Sequence, residues 1–118
     1  MIIHVVLFRP KATVLPDERK ALARAFEQAV RSVPSVRRAQ IGRRVQHGAG
    51  YENLPQPDLQ YAALLEFDDR SGLEAYMEHP AHSEVGRRFF ELMEEGMMFD
   101  YEVRDGRSAD EAVSEWLD

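Results

Sequence analysis

Cysteine is absent from this sequence of 118 residues. Disulfide bonds, cysteine-based zinc sites and a cysteine nucleophile are therefore excluded. No apolar run approaches the roughly 20 residues of a membrane-spanning helix. The apolar start of the chain lacks the basic segment and the small-residue cleavage site of a signal peptide. We therefore expect a cytoplasmic protein without a membrane partner.

Several motifs of enzyme chemistry are also missing. The seven glycines form neither a dinucleotide-binding nor a phosphate-binding loop, and the nucleophile-elbow and HExxH motifs are absent. His79 and His82 have a spacing that metal ligands use on helices, but Pro80 between them disrupts helical geometry. We therefore predict no cofactor and no metal. The formal net charge of −6 argues against a nucleic-acid partner.

The length suits a single hydrophobic core and therefore one domain. The hydrophobic pattern predicts that this domain is α+β. Apolar runs rich in β-branched residues predict strands, and an apolar residue every third or fourth position predicts helices. Ser71 and Glu74 have the spacing of a capping box, and Gly96 is placed to end the last helix of the domain. Strands are predicted at 2–8, 36–47, 59–67 and 97–104, helices at 16–33, from 71 and from 80 to 96, and a loop at 48–58.

This order, β-α-β-β-α-β, is the split pattern of ferredoxin-like folds, in which two helices cover one face of a sheet. The first, third and last strands carry apolar residues on both faces. An uncovered apolar sheet face of that size is unusual on a monomer. We therefore expect a homodimer in which two sheets face each other.

Residues 105–118 lie beyond the predicted domain of residues 1–104. Ser108 and Glu111 have capping-box spacing, so an acidic amphipathic helix is predicted as a C-terminal extension. Its apolar stripe packs on its own domain or on the partner subunit, or else serves as a lid or a docking peptide. The stripe consists of Ala109, Ala112, Val113, Trp116 and Leu117.

Three segments of the sequence resemble the stress-responsive A/B barrel (Dabb) family. They are the opening IHVVLFRPK at 3–11, AYMEHPAH at 75–82 and MFDY at 98–101. The resemblance extends over residues 1 to about 104. It implies a dimeric α+β barrel with a cavity between the sheet and the helices, and many members of the family are known only as stress-associated dimers.

The resemblance also implies candidate site residues. In one branch, the olivetolic acid cyclases, a histidine of the first strand and the second histidine of the HPAH segment close an aromatic ring without a cofactor, helped by tyrosines. These roles fall on His4, His82 and Tyr76. The sequence departs from that branch at Phe26, where the cyclase has a tyrosine late in its first helix.

The same residues suit proton-transfer chemistry. An imidazole among apolar side chains is driven towards its neutral form, which can accept a proton from a carbon beside a carbonyl group. Arg43 is a candidate for binding a substrate carboxylate, and Phe26 and Phe89 are candidate apolar contacts. Alternatively, His4 and His82 hydrogen-bond each other or the backbone in a purely structural role, and Arg43 belongs to a solvated edge.

Three functions therefore remain open. The first is a Dabb homodimer that binds a small molecule in a cavity, with a stress-related role and no established catalysis. The second is a cofactor-free enzyme, a cyclase, lyase or isomerase, with a histidine general base. The third is a structural dimer whose interior is filled by its own side chains. The space around His4 distinguishes them.

Overall fold

The computed structural model describes residues 1–117 and confirms the predicted α+β fold with a C-terminal helix. The strands are β1 (Ile2–Pro10), β2 (Arg38–Arg43), β3 (Tyr61–Phe67) and β4 (Met93–Glu102). The helices are α1 (Pro16–Ser32), α2 (Arg70–Glu78), α3 (Pro80–Leu92) and α4 (Ala109–Leu117), with short 3-10 turns at Gly50–Asn53 and Gly106–Ser108.

The four strands form one antiparallel sheet in the order β2-β3-β1-β4. β1 is central, and its registers align His4 with Leu65 of β3 on one side and with Asp100 of β4 on the other. Because side chains alternate along a strand, these three residues point to the same face of the sheet.

The two faces of the sheet have different surroundings. Helices cover the face that includes His4 and Leu65, and the buried core lies there. Ile3, Val5 and Leu7 of β1 belong to the opposite face, which no helix of residues 1–117 is seen to cover. The core consists of Ala29, Val33, Ala63, Leu65, Phe67 and Tyr76, with partly buried neighbours that include Ile2, Val6, Phe8 and Phe26.

The second strand is shorter than predicted. It covers Arg38–Arg43 rather than 36–47, and all but one of its residues are exposed. β2 is an edge strand that pairs only with β3, so fewer contacts hold its ends. One backbone hydrogen bond, from Arg44 to Gln60, continues the pairing before the chain enters the loop.

Two predicted helix boundaries are wrong. Asp69, rather than Ser71, caps α2, because its carboxylate accepts a hydrogen bond from the backbone N–H of Gly72. The last helix of the domain ends at Leu92, and Gly96 lies inside β4. The ring of Phe89 packs so closely over Gly96 that an added Cβ would lie 3.0 Å from its Cζ. Gly96 therefore accommodates this ring and does not end a helix.

Only part of the apolar stripe of α4 is buried. Ala112 is buried, whereas Val113 and Trp116 are about half exposed and Leu117 is mostly exposed. The side chain of Glu115 forms an ion pair with Arg104. Within the described chain, α4 makes few contacts beyond the preceding turn, so a partner for Trp116 and Leu117 remains a prediction.

Candidate functional site

A cavity of about 1130 Å³ lies between the helix-covered face of the sheet and the helices. Ala29 of α1 packs in the core with Leu65 of β3, and the cavity lies beside this contact. Small residues on the surrounding elements, such as Ala39, Ala63 and Gly86, leave this space unfilled. The walls are largely apolar, as is usual for sites that bind small molecules.

His4 is buried at the wall of this cavity and forms a short polar contact there. Its Nδ1 donates to Oδ1 of Asp100 over 2.6 Å, and only 5% of the residue is exposed. The bond assigns the Nδ1 proton and orients the ring, which leaves Nε2 as the nitrogen available to other groups.

Asp100 is a site residue that the sequence analysis missed. It lines the cavity, although only its membership of the MFDY segment was noted. The available signal was its position in β4, where it shares a parity with Met98 and alternates with the apolar residues Phe99 and Tyr101. Its proximity to His4 depends on the pairing of β1 with β4, ninety-six residues apart in sequence.

Tyr76 of α2 is 2% exposed and lines the same cavity. Burial raises the pKa of its phenol to about 12, so the hydroxyl remains protonated at neutral pH. The hydroxyl makes no hydrogen bond within residues 1–117, and no side-chain polar atom there is both unpartnered and sealed from solvent. The Tyr76 hydroxyl is therefore available to donate a hydrogen bond to a molecule in the cavity.

His82 of α3 is the second histidine at the cavity wall. Its Nδ1 lies 3.2 Å from the carbonyl oxygen of Met77, which can only accept, so Nδ1 carries the proton. Burial lowers the pKa of this imidazole, the Met77 bond opposes that effect, and the nearby His4 lowers the pKa further. His82 is thus neutral at pH 7, and its unprotonated Nε2 has no protein partner within residues 1–117.

The three predicted catalytic residues converge. The ring centres of Tyr76 and His82 are 4.7 Å apart, and those of His4 and Tyr76 are 6.3 Å apart. The two histidines do not hydrogen-bond each other; His4 bonds Asp100 and His82 bonds the backbone. The structure therefore brings together a neutral imidazole, a hydroxyl donor and a histidine–carboxylate pair beside an apolar space.

The three predicted substrate-contact residues line the same cavity. Phe89 packs edge-to-face on Phe8, with ring centres 5.4 Å apart, which holds both rings in the wall. Phe26 of α1 faces the core cluster. Arg43 is exposed at the end of β2 and forms no ion pair within residues 1–117, whereas Arg38 and Arg44 on the same edge do.

The remaining histidines have local roles. His79 separates α2 from α3, as Pro80 predicted, and its Nδ1 accepts a hydrogen bond from the backbone N–H of Ala81. His47 is exposed and bonds the hydroxyl of Tyr51 in the 48–58 loop. In the part of the chain that is described, no three potential ligands cluster as a metal site, and no helix is long and apolar enough to cross a membrane.

The fold is that of a ferredoxin-like α+β domain with a cavity between its sheet and its helices. The model of the stress responsive A/B barrel (Dabb) family matches residues 2–103, and the chain belongs to this family. The match ends before α4, which is therefore an addition to the family domain. No curated protein matches the sequence.

Solved structures with the same fold have diverged far in sequence. A protein from Arabidopsis thaliana is 23% identical, with a TM-score of 0.75 over 89% of this chain and 97% of its own. A hydroxynitrile lyase from Passiflora edulis is 13% identical, with a TM-score of 0.74 over 88% of this chain and 94% of its own. A dimeric ferredoxin-like protein of unknown function from Thermobifida fusca is 20% identical, with a TM-score of 0.68 over 86% and 90%. At these identities, the likeness establishes the fold alone.

Proposed function

We propose that the protein binds a small, largely apolar carbonyl compound in its cavity and catalyses a cofactor-free proton transfer beside the carbonyl group. The observation that carries this proposal is the convergence of His82, Tyr76 and the His4–Asp100 pair on one apolar cavity. Binding without catalysis would need the cavity but no such convergence. A purely structural role would need a filled interior.

The roles follow from the hydrogen bonds already present. His82 is the general base, because its Nε2 is unprotonated at neutral pH while Nδ1 is anchored to Met77. Tyr76 donates to the oxygen on which negative charge develops, since its hydroxyl stays protonated. His4 lies next to Tyr76, and Asp100 orients it so that its Nε2 can accept a hydrogen bond from a second position on the substrate.

Phe26 narrows the type of reaction. A phenylalanine can hold an apolar part of the substrate but donates no hydrogen bond. The tyrosine that the olivetolic acid cyclases use at this position is missing, so the proposed chemistry rests on His82 and Tyr76. Enolisation, the step common to isomerisation, retro-addition and ring closure, needs only those two groups. One structural neighbour is a hydroxynitrile lyase, so a protein with this fold carries out lyase chemistry.

We further propose that the protein is a homodimer whose sheets pack through their uncovered faces. This face carries Met97, Phe99 and Tyr101 of β4, all substantially exposed in the single chain. Structural neighbours described as dimeric have the same fold. Burying these side chains removes apolar surface from water, which contributes about 25 cal/mol per Å².

The catalytic role of His82 is tested by hydrogen exchange. In D2O, the wild-type protein is expected to accelerate deuterium incorporation beside the carbonyl of methyl octyl ketone, followed by NMR. His82→Gln preserves a donor for Met77 but removes the base, so exchange should fall about 100-fold or more. His47→Gln is the matched control, because His47 is exposed in the 48–58 loop, and it should exchange like the wild type.

Two results would contradict the assignment. One is full exchange activity in a folded His82→Gln protein, which would remove His82 from the mechanism. The other is a wild-type protein that binds the ketone but never exceeds the background rate of exchange. That result would return the protein to the class of binding domains without catalysis.

A further inference from the structure

We propose that the ligand is an elongated, largely apolar anion, whose carboxylate is held by Arg19 and Arg43 at the end of the cavity away from His82. This inference rests on the proposed function and specifies its substrate class. It identifies Arg19 as a binding residue and assigns the two ends of the cavity different chemistry.

The first observation is the pairing of the arginines. Nine of the thirteen arginines form ion pairs within residues 1–117. Arg19, Arg24, Arg31 and Arg43 do not, and all except Arg24 line the cavity. Most arginines of the described residues thus have a carboxylate partner, whereas those that line the cavity have none within residues 1–117.

The second observation is the charge around the cavity. The whole chain has a net charge of −6, yet three arginines line this cavity against only two carboxylates, Glu27 and Asp100. Asp100 is already bonded to His4. The cavity is therefore locally positive on an acidic protein, and such a local field favours an anionic ligand.

The third observation is the position of the arginines along the cavity. Arg43 pairs with Tyr61 of β3, whereas His4 pairs with Leu65, so the two levels are four residues, or about 13 Å, apart along the strand. Arg19 lies in the first turns of α1, and only a short connection separates the start of α1 from the end of β1. Phe8 near that end also pairs with Tyr61, so Arg19 and Arg43 share one end of the cavity.

Arg31 lies elsewhere. It is twelve residues after Arg19 on α1, which is about 18 Å along the helix axis. Glu27 precedes Arg31 by one helical turn on the same cavity-lining face. The pair of arginines suited to a terminal acidic group is therefore Arg19 with Arg43.

A smaller polar cleft of about 300 Å³ adjoins this end and shares Arg43 and Tyr61 with the cavity. The arginine end is thus where the apolar space meets a polar surface. A charged group there keeps contact with water while an apolar chain extends inward, so no charge has to be buried without a partner. A guanidinium suits a carboxylate because it donates two parallel hydrogen bonds.

The geometry sets a length requirement. The strand levels of Arg43 and His4 are about 13 Å apart, and Tyr76 and His82 lie beside His4, so a ligand that reaches from Arg43 to the histidines needs an elongated apolar spacer. Short keto acids do not meet both ends at once. The proposed substrate is therefore a medium-chain or aryl-substituted acid with its carbonyl group far from its carboxylate.

The test compares an acid with its neutral analogue. Decanoate and decanol are titrated into the wild-type protein and into Arg19→Gln, Arg43→Gln and Arg24→Gln by calorimetry at low salt. Arg24 is the matched control, because it lies on α1, forms no ion pair among the described residues and does not line the cavity. We expect Arg19→Gln and Arg43→Gln each to weaken decanoate binding about fivefold, because partly exposed charge pairs are modest in strength. Decanol binding should stay unchanged in all variants, and Arg24→Gln should bind decanoate like the wild type.

The outcomes separate this inference from the proposed function. Added salt should weaken decanoate binding and leave decanol binding unchanged. Equal affinity of decanoate for the wild type, Arg19→Gln and Arg43→Gln would overturn the assignment of these arginines to carboxylate binding. Decanol binding would still support an apolar site. Failure of the wild type to bind either molecule would overturn both proposals. An equal loss of decanoate affinity in Arg24→Gln would show a general charge effect and overturn the assignment of the carboxylate to Arg19 and Arg43.

Discussion

The two faces of the sheet are built from the same strands and differ in what lies against them. In β1, His4, Val6 and Phe8 face the helices and the cavity. Ile3, Val5 and Leu7, one residue out of phase, belong to the face without helices. A single strand thus supplies both a candidate site and a candidate interface.

The difference shows where this protein places its buried polar groups. On the covered face, His4 has Asp100 and His82 has Met77, while Tyr76 reaches the cavity. A polar group costs free energy when it is buried without a partner, so it persists where a partner or a cavity is available. The central strand contributes Ile3, Val5 and Leu7 to the other face, with Arg9 at its end, and the aliphatic side chains suit association with a second apolar surface.

The largest expected effect comes from placing a charge on the uncovered face. Phe99→Glu puts a carboxylate opposite Val5, where the proposed dimer would bury it without a partner. We expect dimerisation to weaken by about 3 kcal/mol or more. Sedimentation at micromolar concentration should then give the monomer mass. Leu54→Glu, an equal charge in the exposed 48–58 loop, should leave the dimer intact. A Phe99→Glu protein that sediments as a dimer would contradict the assignment of this face.

The next effect comes from filling the cavity on the covered face. Gly86 lines the cavity within α3, and an added Cβ would meet no atom within 4 Å. Gly86→Leu should therefore block ligand binding while stabilising the protein by up to about 1 kcal/mol, because leucine favours a helix interior over glycine. Calorimetry with decanol and thermal unfolding measure the two quantities. Retained binding with an undisturbed fold would show that the ligand lies outside this cavity.

The smallest effect is a dependence of stability on pH. The folded-state pKa of His82 is lowered from its ordinary value of 6.5, mainly by burial. The unfolded chain therefore binds a proton first as the pH falls below 6.5, and the free energy of unfolding decreases until the folded His82 also protonates. Denaturant titrations at several pH values should show a decrease that His82→Gln reduces. An unchanged dependence in that variant would assign the effect to another group.

Local patterns in the sequence predicted most of the fold. Pro80 separated α2 from α3, and alternation along β1 separated the apolar parities. The boundaries that failed depended on contacts that local patterns do not contain. The local pattern predicts a helix end at Gly96. The structure places Gly96 under the ring of Phe89 instead, and such a contact leaves no mark in the local pattern. Asp69 caps α2 in place of Ser71, because its carboxylate accepts a hydrogen bond from the backbone N–H of Gly72.

The candidate site was predictable as a set of residues and not as a geometry. The resemblance to Dabb proteins pointed to His4, Tyr76 and His82, and all three line one cavity. The sequence could not show that His4 bonds Asp100, because that contact requires the register between β1 and β4. Nor could it show that Arg19 and Arg43 share one end of the cavity.

The sequence by itself determined the element order, the two parities of β1 and the residue types available for chemistry, because strand and helix periodicities are local properties of the backbone. Only the tertiary structure decided which of these groups meet. Strand register and helix packing bring distant residues together, and they leave the cavity that His4, Tyr76 and His82 line.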